Sequence, residues 1–125
     1  IDKLKLGFCT DVGFVTNLIK HQLKGCDYLY IESNHQPSMV YASPRPMVYK
    51  QRTLSRSGHL SNDECAQLVK EVYHPNLKHI HLAHLSEECN HPQMALETVQ
   101  CALPQGATTE ISIATQRTIS KPVLF

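Results

Sequence analysis

Residues 4–13, LKLGFCTDVG, predict a short strand that is followed at once by Asp11. The same type of segment returns twice, and further strands are predicted over residues 26–32 (CDYLYIE) and 77–82 (LKHIHL). Between the first two strands, apolar residues recur at spacings of three and four from Phe14 to Leu23, which is typical of one helix face. Strands that alternate with helices indicate a layered α/β domain.

Two further helices have recognisable first turns. Ser61 and Glu64 form a Ser-x-x-Glu capping box, and Pro75 ends the helix that begins there. Pro92 lies in the first turn of a later helix, which ends before Pro104. The remaining C-terminal sequence predicts two strands, residues 108–114 and 118–125, joined by a hairpin.

The segment between Ser33 and Asn62 has a different composition. It contains three prolines and no Asp or Glu, so it cannot form one long regular element. We expect a long, partly helical connection with local positive charge, which comes in part from Arg45, Arg52 and Arg56. Cations beside a metal site suit a phosphodiester or another anionic substrate, although scattered cations on a solvated loop would give the same sequence.

Composition excludes several classes of protein. The chain has 125 residues, the size of one domain, and 12 Lys and Arg against 11 Asp and Glu. No overall charge therefore draws it to nucleic acid or to an anionic membrane, and no apolar run approaches the roughly 20 residues of a membrane span. The five cysteines form no Cys-x-x-Cys pair, which argues against a disulfide scaffold or a thiolate zinc site and predicts a reduced, cytoplasmic protein.

Four polar residues are predicted to meet at one edge of the sheet. Asp11 follows the first strand, Glu32 ends the second, His84 follows the third, and His59 precedes a helix. Ligands of open α/β sheets bind at the carboxyl ends of the strands, and carboxylates with imidazoles suit Zn²⁺, Mn²⁺ or Fe. Each residue also has a simpler interpretation: a helix cap for Asp11, a solvated strand end for Glu32, a surface histidine for His59 and a buried histidine for His84.

His79, His81 and His84 form a His-x-His-x-x-His run that could be a rival metal site. On a strand, His79 and His81 point to one face and Ile80 and Leu82 to the other. Because Ile80 and Leu82 have the character of the buried pair, we expect His79 and His81 to face solvent or a partly covered layer.

Four segments of the chain together resemble the metallo-β-lactamase-fold hydrolases. They are residues 8–13 (FCTDVG), 30–35 (YIESNH), 58–62 (GHLSN) and 82–86 (LAHLS), followed by Asn90. The resemblance is to the exonuclease-like YycJ/WalJ subgroup, with ribonuclease Z more distantly related. It spans Leu4 to about Gln100 with the segments in the same order.

The resemblance implies a role for each matching residue. Asp11 and His84 would be metal ligands, and His59 would assist proton transfer or stabilise charge at the scissile phosphate. Glu32 would orient that histidine. Two divalent ions, zinc or manganese, would supply a metal-bound hydroxide for attack. Separately from the resemblance, the basic segment is expected to contact substrate through Arg45, Arg52 and Arg56. Asn34 and His35, in the matching segment 30–35, would contact it as well.

The family's main metal motif, His-x-His-x-Asp-His, does not occur in the 125 residues. Residues 1–125 are therefore predicted to be the C-terminal half of an αββα sandwich, inactive alone and completed by an N-terminal half as its partner. The expected activity is that of a phosphodiesterase or exonuclease on nucleic acid, with no membrane partner. Two alternatives remain: a hydrolase of the same fold acting on a small ester, lactone or thioester, and a non-catalytic assembly module with structural histidines.

Overall fold

A computed structural model describes residues 3–124, and four strands within it form one parallel sheet. They are β1 (Leu6–Cys9), β2 (Tyr28–Glu32), β3 (His79–Ala83) and β4 (Glu110–Ile113). Their order across the sheet is their order along the chain. Cys9 pairs with Ile31, Ile31 with Leu82, and Leu82 with Ile113, so all four carboxyl ends lie at the same edge.

Five helices connect the strands. They are α1 (Asn17–Leu23), α2 (Pro37–Ala42), α3 (Met47–Leu54), α4 (Asn62–Val72) and α5 (Pro92–Gln100). The predicted capping box is confirmed, because the Ser61 hydroxyl accepts from the Glu64 N–H while the Glu64 carboxylate accepts from the Ser61 N–H. The proline-rich connection contains the short helices α2 and α3, as its composition predicts. The mixed α/β class predicted from the sequence is therefore confirmed.

Helices α1, α4 and α5 cover one face of the sheet. On that face Leu29, Ile31, Ile80 and Leu82 are at most 2% exposed and pack with buried side chains of the three helices. Fully buried aliphatic side chains of this size each contribute about 1.5–3 kcal/mol to folding. The core therefore lies between the sheet and a single layer of helices.

The opposite face of the sheet has no helical cover among the described residues. We call it the open face, and its members are Leu6, Phe8, Tyr28, Tyr30, His79 and His81. Phe8 is 70% exposed and Leu6 is 46% exposed. The rings of Phe8 and Tyr30 lie 5.6 Å apart, and those of Tyr30 and His81 lie 5.5 Å apart, so aromatic groups cross three strands in a row.

The predicted C-terminal hairpin is wrong within the described residues. After β4 the chain turns at Thr115 and Thr118, whose hydroxyls contact each other, and it forms no further strand up to residue 124. Pro122 lacks an N–H for strand pairing, and the segment runs beside the open face, where the Tyr28 hydroxyl donates to the Leu124 carbonyl oxygen at 3.5 Å. The last residue of the predicted strand, Phe125, lies outside the described residues.

The remaining elements begin or end close to their predicted positions. Helix α1 begins at Asn17 and not at Phe14, because the Thr16 hydroxyl accepts from the Ile19 N–H and caps it. Between residues 3 and 124, no helix is long and apolar enough to cross a lipid bilayer.

Candidate metal centre

Three strand ends and one loop bring four polar side chains together. Asp11 follows β1, Glu32 is the last residue of β2, His84 follows β3, and His59 lies between α3 and α4. Each offers a ligand atom, and the four atoms lie within 4.8 Å of one another. The convergence predicted from the sequence is therefore present in the fold, and it follows from the parallel arrangement of the strands.

Glu32 is the buried member of the group, with 0% of its surface exposed. Its Oε1 lies 2.9 Å from Nδ1 of His59 and also contacts Nδ1 of His84. Its Oε2 accepts from the Leu60 N–H at 3.1 Å. A buried carboxylate needs such partners to offset lost hydration, so Glu32 is a fixed acceptor beneath both imidazoles rather than a solvated strand end.

Asp11 and His84 share an unusual backbone conformation. Their φ angles are 57° and 58°, in the left-handed region that side chains other than glycine rarely adopt. Such strain costs about 1–3 kcal/mol and concentrates at functional sites. Asp11 is not the cap of α1, because Thr16 fills that position. Its Oδ1 instead lies 3.6 Å from Nδ1 of His84.

The two histidine rings stand edge to face, with centroids 5.0 Å apart. Both rings direct Nδ1 towards Glu32, which leaves Nε2 of each ring for a metal ion or a substrate. Their side chains are 34% and 46% exposed, while that of Asp11 is 73% exposed. Asp11 offers an exposed carboxylate, and Glu32 orients the two imidazoles beside it. This donor set fits Zn²⁺ or Mn²⁺.

Two glycines allow the loops of the centre to pack closely. A Cβ atom on Gly13 would lie 2.4 Å from the Arg56 carbonyl oxygen, and one on Gly58 would lie 2.3 Å from that of Arg52. The Arg56 guanidinium also lies 3.9 Å from the centre of the Phe14 ring. The loop after β1 is therefore fixed against the loop before α4. This packing holds Asp11 near His59.

A groove of about 530 Å³ opens beside the two histidines. Arg45 and Arg52, two of the residues for which the sequence predicts substrate contact, line this groove together with Tyr49. Arg45 is already paired, because its guanidinium lies 2.9 Å from the Glu88 carboxylate. Arg56 is not part of the groove lining and stacks on an aromatic ring as described above.

The other two predicted substrate-binding residues are largely buried. Asn34 lines the groove but is 8% exposed, and its Nδ2 donates to the His84 carbonyl oxygen at 2.7 Å. His35 is 1% exposed, and burial lowers the pKa of its imidazole. Among residues 3–124, no group hydrogen-bonds to its Nε2.

His79 and His81 do not join the centre. They lie on the open face, where both rings contact the Ser112 hydroxyl, at 2.6 Å from His79 and 2.5 Å from His81. Nδ1 of His79 also lies 3.6 Å from the Glu110 carboxylate. The structure thus separates these two histidines from His84, which follows them in the same run.

Sequence reasoning missed a buried amide network behind β2. The Ser33 hydroxyl donates to Oδ1 of Asn62 at 2.6 Å, Asn62 donates to Oδ1 of Asn90 at 2.8 Å, and Asn90 donates to the Ser33 carbonyl oxygen at 2.9 Å. Asn62 directly follows the capping Ser61, and a polar residue in the first turn of a helix is usually exposed to solvent, so the sequence did not indicate that it is buried. The available signal was the pair of asparagines in the segments that carry the family resemblance.

Comparison with known proteins identifies relatives of the chain, although no family model matches it. Exodeoxyribonuclease YycJ of Bacillus anthracis is 36% identical over 101 residues, which are 81% of this chain and 38% of the relative. Exodeoxyribonuclease WalJ, from two strains of Streptococcus pneumoniae, is 33% identical over 97 residues, 78% of this chain and 36% of the relative. The chain thus spans less than two fifths of the length of these curated relatives. Over the residues that align, it belongs to the YycJ/WalJ-like family that its motifs indicate.

Proposed function

We propose that the chain is part of a metal-dependent nuclease that hydrolyses phosphodiester bonds of nucleic acid. The observation that carries the proposal is the convergence of Asp11, Glu32, His59 and His84 within 4.8 Å at the carboxyl edge of the sheet. The relatives named exodeoxyribonucleases support an exonuclease acting on DNA. The free cysteines support a reducing compartment, the cytoplasm.

In this proposal Asp11 and His84 hold metal and the chain contributes to a site for two divalent ions, zinc or manganese. Bound ions would polarise the phosphoryl group and activate water for attack. Asp11 is suited to this role because its carboxylate is exposed and carries two oxygens. His84 is suited because the Glu32 carboxylate fixes the orientation of its ring.

In the same proposal His59 assists proton transfer or stabilises charge at the scissile phosphate, and Glu32 orients it. Glu32 accepts from Nδ1 of His59, which fixes the tautomer of the ring and directs Nε2 away from the core. When its ring carries a proton on Nε2 as well, His59 can donate from Nε2 to a phosphate oxygen. Arg45, Arg52 and Arg56 remain the proposed contacts to substrate, whereas the buried Asn34 and His35 are not retained in that role.

We further propose that residues 1–125 form one half of an αββα sandwich and that an N-terminal half packs on the open face. Three observations support this arrangement. Asp11 and His84 are fewer than the three protein ligands that a catalytic zinc normally has. The relatives are more than twice as long as the chain. Phe8 and Leu6 expose apolar surface that a second sheet would bury.

The test is a set of assays on the full-length protein with Mn²⁺ or Zn²⁺. End-labelled DNA and RNA substrates report nuclease activity and its direction, and lactone and thioester substrates report the competing hydrolase activity. Asp11→Asn and His84→Ala should each lower DNA cleavage at least about 100-fold, while His21→Ala, an exposed histidine on α1, leaves it unchanged. Retained cleavage in both site variants would contradict the proposal, and hydrolysis confined to esters would favour the small-substrate alternative.

A further inference from the structure

Asn34 connects the three segments that carry the centre. Its main-chain N–H donates to the Leu60 carbonyl oxygen at 2.9 Å, and its own carbonyl oxygen accepts from the Ser86 N–H at 2.8 Å. Its side-chain Nδ2 donates to the His84 carbonyl oxygen at 2.7 Å. Asn34, two residues after the end of β2, therefore hydrogen-bonds to the residue that follows His59 and to both ends of the segment from His84 to Ser86.

The side chain of Asn34 can have only one orientation here. The His84 carbonyl oxygen accepts but cannot donate, so the amide must present its NH₂ end to it. The amide oxygen then faces Nδ1 of His35 at 3.2 Å, which requires the proton of that ring to be on Nδ1. Nε2 of His35 is then a bare acceptor, which agrees with its lack of a partner among residues 3–124.

His35 is itself fixed in the core. It is 1% exposed, its carbonyl oxygen accepts from the Asn62 N–H at 2.8 Å, and it forms a parallel bridge with Ser61. The chain of contacts thus runs from the buried first turn of α4 through His35 and Asn34 to the main chain of His84. It ends on a group that needs support, because His84 has φ of 58°.

We propose that Asn34, held by His35, is a positioning residue of the metal centre. Its hydrogen bond holds the peptide group after His84, so that the imidazole stays over Glu32 and beside Asp11. The inference rests on the proposed function only in that His84 is a metal ligand. It gives Asn34 and His35 a role different from the substrate contact that the sequence predicts.

Two variants of the full-length protein test the role of the amide. Asn34→Ala removes the hydrogen bond, and Asn34→Asp keeps the shape and the acceptor for His35 while placing an oxygen against the His84 carbonyl. Thr109→Val is the matched control, because the Thr109 hydroxyl donates to the Leu77 carbonyl oxygen at the same 2.7 Å, before the amino end of β3. All three lose a side-chain hydrogen bond to a main-chain carbonyl, but only the first two act on the centre.

We expect both Asn34 variants to weaken Mn²⁺ or Zn²⁺ binding by about 10- to 100-fold in calorimetric titration and to lower kcat, with KM within about twofold. The Cα and Cβ chemical shifts of His84 in the metal-free protein should move away from left-handed values. Thr109→Val should lower Tm without changing metal affinity. A raised KM with unchanged metal affinity in the Asn34 variants would overturn the inference in favour of substrate contact. If Thr109→Val lost as much metal affinity as the Asn34 variants for the same fall in Tm, the inference would be overturned in favour of a general structural role.

His84→Ala separates this inference from the proposed function. If His84→Ala abolishes metal binding and Asn34→Ala does not weaken it, only the positioning role is wrong. If His84→Ala leaves metal binding intact, the assignment of the metal ligand is wrong and the positioning role is overturned with it.

Discussion

Asp11 and His84 approach to 3.6 Å between Oδ1 and Nδ1, and they are the two non-glycine residues with positive φ between residues 3 and 124. They follow different strands, β1 and β3, on either side of the strand that ends in Glu32. Two such conformations at one site are costly for folding. The fold therefore tolerates strain where the four polar side chains converge.

Asp11→Asn should separate stability from activity. Asparagine adopts left-handed φ values readily, and the Asp11 side chain is 73% exposed, so we expect the free energy of unfolding to stay within about 0.5 kcal/mol of the parent value. DNA cleavage by the full-length protein should nevertheless fall at least about 100-fold, because the proposed metal site would lose a negatively charged ligand. Urea denaturation and cleavage assays measure the two effects, and Asp63→Asn on α4 is the exposed control. A loss of unfolding free energy large enough to account for the fall in cleavage would mean that the role of Asp11 is structural.

Glu32→Gln should lower both stability and activity. The amide cannot offer two anionic oxygens to His59, His84 and the Leu60 N–H, and removal of one partner from a buried charged cluster costs about 3 kcal/mol. Urea denaturation of the variant should show this loss, while Glu97→Gln, on the exposed side of α5, should show none. An unchanged midpoint would mean that Glu32 does not hold the two rings.

Phe8→Ala tests the proposed covering of the open face in the full-length protein. If a second sheet packs on this face, Phe8 is buried there and its truncation should cost about 3 kcal/mol of unfolding free energy. Leu18→Ala on α1 is the control, since Leu18 is 67% exposed on the far side of the molecule from that face. A loss no greater for Phe8 than for Leu18 would contradict the sandwich arrangement.

The open face should also make stability depend on pH. Burial, and secondarily His79, lowers the pKa of His81 below the ordinary 6.5, so the folded state binds fewer protons than the unfolded state as pH falls through that value. The contribution of neutral His81 to the free energy of unfolding is fully present above pH 6.5. It decreases as the pH falls below that value, because the unfolded chain then takes up the proton first. The groups that face His81 are His79, Tyr30 and Ser112, with Glu110 beyond His79. Thermal unfolding between pH 8 and 5 should show a smaller decline in Tm for His81→Gln than for the parent protein, and equal declines would contradict this assignment.

Local signals in the sequence were sufficient for much of the fold. The Ser61–Glu64 capping box defines its own first turn, and the strand ends of Asp11, Glu32 and His84 converge because parallel strands finish at one edge. Their backbone conformations were not predictable, because left-handed φ at an Asp or His depends on contacts that hold it. Arg45 could not be recognised as paired, since its partner Glu88 is 43 residues away. The C-terminal strand failed for a similar reason, because alternation cannot show whether a neighbouring edge is available.

The shared acceptor Oε1 of Glu32 has a consequence for how the centre responds to change. His59 and His84 both direct Nδ1 to that one atom, so each ring limits the position of the other. The contributions of His59 and His84 to activity are therefore not independent, because the loss of either ring frees the Glu32 carboxylate to rearrange around the other. Replacing both histidines should raise the activation free energy by less than the sum of the two single replacements, so the two rings behave as a single functional unit.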